Sequence, residues 1–320
     1  MRLVAAAVAA TAVFLTAGSG GSRPVQPAYA SPSWSPDGSE IAFVQAWGST
    51  GAVVLVRASD LRLQRVVRTK ILMQVAWSPT GDRIAYAASD GVFVIRRDGG
   101  SRRRLGAGAG LAWSPDGSRL AFDSSSGGPI RVAKADGRGA RKVTAGRYDG
   151  SPAWSPDGQR LVFSRSRTAG ADPSLFVVGS DGNGLHSLGV QGAAAAWSPD
   201  GTRIAFWRRT RDGVALAVAG TDGLGERNLT RSLPAYSDPP RWSPDGKQLL
   251  FVLCSGFGFC RIDVAEADTG LVTRLASGSD AVWAPDGRRI AYSGRRSCAP
   301  SRIFVMNVDG SGVRGLTPCP

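Results

Sequence analysis

Trp34-Ser35-Pro36-Asp37-Gly38, followed two residues later by Ile41-Ala42-Phe43, is the stretch that decides the fold. Proline presets φ for the first turn position, aspartate bonds its own backbone, and glycine takes the positive φ where the chain reverses. Trp34 therefore ends one strand and Ile41 lies in the next. Alternation puts Ile41 and Phe43 on one face and the small Ala42 on the other, the pattern of a strand buried on both sides. The stretch recurs at Trp77, Trp113, Trp154, Trp197, Trp242 and Trp283, at spacings of 43, 36, 41, 43, 45 and 41 residues. Thr80 replaces the aspartate in the second copy, and Ala284 replaces the serine in the seventh.

Each copy continues in the same way. A third strand reads Val92-Phe93-Val94-Ile95, Leu175-Phe176-Val177-Val178 or Ile303-Phe304-Val305-Met306. An Asp-Gly hairpin turn follows at Asp98, Asp136, Asp181, Asp222 or Asp309, and a fourth strand ends near Val143-Thr144, Leu229-Thr230 or Leu316-Thr317. Four antiparallel strands per period of about 40 residues make a propeller blade. The expectation is an all-β chain folded as a seven-bladed β-propeller of four-stranded antiparallel blades. Its first inner strand is expected at about Ser31 and its last outer strand at residues 313–317. The ring then closes flush, with no strand from one terminus completing a blade of the other.

With these repeats in view, the chain resembles the TolB-type β-propellers, whose Trp-Ser-Pro-Asp-Gly repeat also occurs in the propeller domains of prolyl-oligopeptidase-like peptidases. The resemblance covers residues 31–317. It implies the fold strongly and the function weakly, because such propellers serve unrelated activities. TolB carries an α/β domain ahead of its propeller and the peptidases carry a hydrolase domain. Neither is recognised in this sequence, so neither set of roles carries over.

The first thirty residues read as a secretory signal peptide: Arg2, an apolar run over 3–17, a polar stretch over 18–27, and the small-x-small pattern Ala28-Tyr29-Ala30. The apolar run is shorter than the roughly 20 residues that span a bilayer. The organisation expected is a leader over 1–30 and the propeller over 31–320, not membrane-spanning once the leader is cut. The destination is secreted or extracytoplasmic, in the periplasm or cell envelope. Four cysteines, Cys254, Cys260, Cys298 and Cys319, agree with export and allow three pairings. The favoured pairing joins Cys254 to Cys260 across a tight hairpin and Cys298 to Cys319 at the end of blade 7. No C-x-x-C spacing and a single histidine argue against zinc, and no metal or cofactor is expected.

The formal net charge of +14 comes from 35 Arg and 4 Lys against 25 acidic residues. This balance favours acidic partners. The uniform Pro-Asp-Gly and Asp-Gly turns share one end of the propeller and read as architecture. Variable loops occupy the opposite end, where binding sites on rigid scaffolds sit. The candidate ligand-binding residues there are Arg147, Tyr148, Asp149, Arg165, Arg167, Arg208, Arg209, Arg231, Tyr236 and Asp238, because guanidinium groups beside tyrosine suit a carboxylate or phosphate. Catalysis has little support. His186 is the only histidine, on an expected fourth strand, and no Gly-x-Ser-x-Gly elbow exists.

Two readings follow. One is a non-enzymatic binding or scaffold propeller, a monomer that engages a protein, a peptide or an anionic cell-envelope polymer, with nucleic acid disfavoured by export. The other is a carbohydrate-active hydrolase or lyase using loop-face carboxylates such as Asp149, Asp172, Asp212, Asp238 and Asp280. An enzyme should gather two carboxylates in one pocket with at least one free of arginine. A binder should show them already paired.

Overall fold

A computed structural model describes residues 26–124, 127–233, 238–255, 259–295 and 301–318. Seven four-stranded antiparallel sheets occupy residues 28–70, 72–106, 109–142, 149–191, 193–228, 241–277 and 279–315, each with its strands in sequence order. These are blades 1 to 7. Every blade takes all its strands from one continuous segment, so the ring closes flush as expected.

Each innermost strand ends on the repeat tryptophan, as Ala28–Trp34 does in blade 1. The Ser-Pro-Asp-Gly turn then builds itself. Ser35 Oγ donates to Asp37 Oδ1 at 2.5 Å and accepts the Glu40 amide at 2.9 Å, while Asp37 accepts the Ser39 amide. The same set recurs from Ser114, Ser155, Ser198 and Ser243. In blade 2, Asp82 takes the role that Thr80 cannot, accepting from both Ser78 and Thr80.

Blades pack by alternating faces. Ile41 and Phe43 of blade 1 belong to the layer shared with Val282, Ala291 and Ile303 of blade 7. Ala42 and Val44, on the opposite face, pack with Ile84 and Tyr86 of blade 2. Thus the aromatic face of each blade meets the small-residue face of the one before it. Burying a large aromatic or aliphatic side chain this way contributes roughly 1.5–3 kcal/mol.

Two polar contacts repeat across the interfaces. The indole N–H of Trp113, Trp154, Trp242 and Trp283 donates to the backbone carbonyl of Ala76, Ala112, Ala196 and Arg241, the residue before the preceding blade's tryptophan. The arginine six residues after a tryptophan lies over the next blade's indole: Arg119 over Trp154, Arg160 over Trp197, Arg203 over Trp242 and Arg289 over Trp34. Where blade 1 has Glu40 at this position, its buried carboxylate accepts two bonds from Arg97 of blade 2, at 2.8 and 3.1 Å.

The first inner strand starts slightly earlier than the expected Ser31. The first strand begins at Ala28, inside the segment read as leader. Tyr29 is 2% exposed, packs edge-on against Phe43, and exchanges hydrogen bonds with Ser301 of blade 7 through its amide and carbonyl. A cut after Ala30 would remove this residue from the closing interface. Cys254 and Cys260 are bonded and face each other across two paired strands. Cys298 and Cys319 lie outside the described residues.

Candidate functional site

The variable face is set by what each blade places at the end of its second strand. In blade 4, Asp149 opens the inner strand and Arg165 closes the second, directly opposite it in register. Arg165 Nε and Nη2 reach the two Asp149 oxygens at 2.6 and 2.9 Å, and the Asp149 side chain is wholly buried. This bidentate bond and the attraction of the carboxylate raise the Arg165 pKa above its ordinary value. Arg165 also covers Phe163 and Phe176. Both groups are committed to each other. Beside them Arg147 and Tyr148 are exposed, and Arg167 is exposed on the following loop.

The remaining candidates scatter. Arg209 pairs with Asp172 of blade 4 at 2.7 Å, and Arg208 pairs with Glu226 at 3.1 Å within its own blade. Arg231 lines a cavity on the outer flank between blades 5 and 6. The Asp238 carbonyl accepts the Trp207 indole N–H at 2.8 Å, and Tyr236 lies outside the described residues. The structure therefore brings Asp149 and Arg165 together, with Arg147 and Tyr148 adjacent in chain. Arg209 reaches the blade 4 loop after Arg165 through Asp172, whereas Arg208 pairs within blade 5 and Arg231 lines the cavity between blades 5 and 6. His186 is exposed on the fourth strand of blade 4, its Nδ1 2.8 Å from the Gly184 carbonyl.

Two buried carboxylates went unnoticed in the sequence. Asp123 ends the second strand of blade 3 and accepts the Ser151 amide at 2.8 Å. Burial raises its pKa, against hydrogen bonds from the Ser151 and Ala109 backbones. Gly110 makes room for it, since a Cβ there would collide with Asp123 Oδ2. Asp263, 1% exposed, sits in the third strand of blade 6, where burial also raises its pKa. Its signal was readable: Ile262-Asp263-Val264 occupies the place of Val92-Phe93-Val94 and Ile303-Phe304-Val305.

A cavity of about 600 Å³ on the turn face contains Asp82 and Asp98, paired with Arg83 and Arg96. Among the described residues no group of three His, Cys, Asp or Glu side chains is disposed to hold a metal ion.

A family model for the TolB beta propeller domain matches residues 68–252 and 193–318. The chain belongs to the TolB β-propeller family. An uncharacterized protein of Agrobacterium fabrum is 31% identical over 109 residues, which is 32% of this chain and 35% of that protein. The chain thus spans about a third of that relative's length. Among solved structures, an oligogalacturonate lyase in complex with manganese superposes with a TM-score of 0.71 at 13% identity, covering 88% of this chain and 90% of the lyase. TolB from Acinetobacter baumannii gives 0.56 at 18% identity over 79% and 64% of the two chains. A puromycin-hydrolyzing peptidase of Mycobacterium tuberculosis gives 0.71 at 15% identity over 93% and 55%. At these identities the likeness establishes the fold. Neighbours of this TolB-family propeller include both TolB and enzymes, so its activity has to be argued from its own residues.

Proposed function

We propose that this TolB-family propeller is an extracytoplasmic binding or scaffold module, which holds a protein, peptide or acidic envelope polymer and performs no chemistry on it. The observation that supports this reading is the bidentate Asp149–Arg165 pair. A carboxylate already saturated by a guanidinium and an amide is a poor base or nucleophile, since both oxygens are held in charge-assisted bonds. Asp172 is likewise engaged by Arg209, and Asp280 accepts from Ser293. The exposed Arg147, Arg167 and Arg231 supply the positive charge that favours an acidic partner. The apolar N-terminal run supports export, and no helix among the described residues is long and apolar enough to cross a membrane.

A pull-down from cell-envelope extract with the oxidised chain, at low and moderate salt, tests the reading. One protein retained at moderate salt supports an adaptor. Anionic polymer retained only at low salt supports a charge-driven anchor, because exposed charge contacts weaken as the Debye length shrinks. Recovering neither, together with turnover of an acidic oligosaccharide that Asp123→Asn abolishes, would overturn the proposal in favour of an enzyme.

A further inference from the structure

The two ends of the propeller differ in charge. Six Pro-Asp-Gly turns, and the Asp-Gly turns that follow third strands at Asp98, Asp181 and Asp309 among others, each put an aspartate at one end. Most of the 25 acidic residues sit at this turn end. At the opposite, loop end, exposed cations recur around the ring: Lys70 leaving blade 1, Arg104 in blade 2, Arg147 and Arg167 at blade 4, Arg211 in blade 5 and Arg295 in blade 7. Among the described residues none of the six forms an ion pair. The exposed acids described at this end are Asp172 and Asp212, and Arg209 already holds Asp172 at 2.7 Å. The net positive charge of the chain thus concentrates at the loop end, which attracts anions as a whole face.

Two of these cations are followed in the chain by an exposed apolar or aromatic residue. Ile71, after Lys70, is 44% exposed, and Tyr148, after Arg147, is 37% exposed. The Gly127 backbone lies against the Tyr148 ring, where a Cβ would fall 3.0 Å from Cδ1. The Tyr148 carbonyl accepts the Ser166 amide at 3.0 Å, which brings Arg167 to the same segment. Tyrosine and aliphatic side chains beside long basic ones suit a membrane–water interface. There the ring rests at headgroup depth, the apolar group dips below it, and the cations reach the phosphates. A linear acidic polymer would follow one path and meet a few of these cations. A planar anionic surface meets cations on five blades together.

We propose that the loop end is a docking face for a bilayer surface rich in anionic lipid, with the aspartate-lined turn end directed away from it. This goes beyond the binder reading, which does not depend on it.

The test follows flotation of the oxidised chain, freed of its apolar N-terminal run, which holds none of the blades. The vesicles are phosphatidylcholine with or without phosphatidylglycerol. The protein should float with the anionic vesicles only, and be released as salt rises. Lys70→Gln and Arg147→Gln should each weaken the association about fivefold, the worth of one basic residue at an anionic surface. Arg96→Gln at the turn end, an exposed residue paired with Asp98, should leave it unchanged. A headgroup-nitroxide lipid should broaden the amide signals of Ile71 and Tyr148 and spare those of Asp98 and Asp181. Equal flotation with neutral vesicles, no flotation with anionic ones, or broadening centred on the turn aspartates would each overturn the docking face. Polyglutamate bound as tightly as the vesicles at equal charge would also overturn it, in favour of a soluble polymer, and would leave the binder reading standing. The three substitutions alter exposed side chains, and the wild-type flotation and broadening map decide without them.

Discussion

The guanidinium of Arg289 lies 4.9 Å from the centre of the Trp34 indole, so the last blade holds the first by the contact that Arg119 makes with Trp154. Among the described residues no strand is shared across this seam. The closing interface therefore relies on side chains, on Tyr29 against Phe43, and on the Tyr29–Ser301 bonds.

Arg289→Ala should lower stability by about 1 kcal/mol, the range of a partly exposed cation–π contact. Trp34→Ala should cost about 3–5 kcal/mol. Hydrogen exchange should show the first opening in residues 28–34 and 302–307 of the wild type. Uniform protection around the ring would show that the seam is no weaker than the other interfaces.

Tyr29 makes a prediction about the leader. Cleavage should fall upstream of Ala28, read as the mass of the mature chain. A chain started at Ser31 should lose about 3–5 kcal/mol, the cost of deleting a buried aromatic, and melt earlier. Equal melting of the two forms would show that residues 28–30 add nothing to closure.

Asp149 is buried with Arg165 as its only charged partner among the contacts described. Arg165→Ala should destabilise by about 3–5 kcal/mol because it strands a buried charge. The double variant Asp149→Leu with Arg165→Met should recover most of that loss. Equilibrium denaturation of the three proteins checks both statements, and a single variant as stable as the double would refute the burial argument.

The turn aspartates set the response to acid. Hydrogen bonds from the turn serines and amides lower Asp37, Asp116 and Asp200 from 3.8 to about 2. A depressed folded-state pKa contributes stability above the unfolded value, lost as pH falls through the folded one. These turns should weaken between about pH 4 and pH 2. Asp37→Asn, Asp116→Asn and Asp200→Asn should each destabilise at pH 7 and converge with wild type near pH 2, followed by circular dichroism. Asp123 and Asp263, raised by burial, act with the opposite sign and favour the fold as pH falls through their folded-state values.

The repeat made the architecture readable because one local rule, Trp-Ser-Pro-Asp-Gly, states both the turn and the strand parity. The Cys254–Cys260 bond was equally plain from its six-residue separation. What escaped was register between strands distant in sequence. Arg165 and Asp149 are 16 residues apart and look like two free site residues until pairing sets them opposite each other. Arg119 and Arg289 look like surface charges until the next blade brings a tryptophan beneath them. Asp263 was hidden differently, as one polar residue in an aliphatic run whose meaning appears only when blades are laid over one another.

Because the arginine-on-indole contact recurs at four interfaces, the closing one included, and every blade is a continuous segment, the order in which the chain visits the blades carries little of the energy. A circular permutant opened between blades 3 and 4, with the old ends joined by a linker as long as residues 143–148, should regain the same ring. The position of the chain ends is then an accident of translation, and any inter-blade segment could serve as the point where a fused domain is attached.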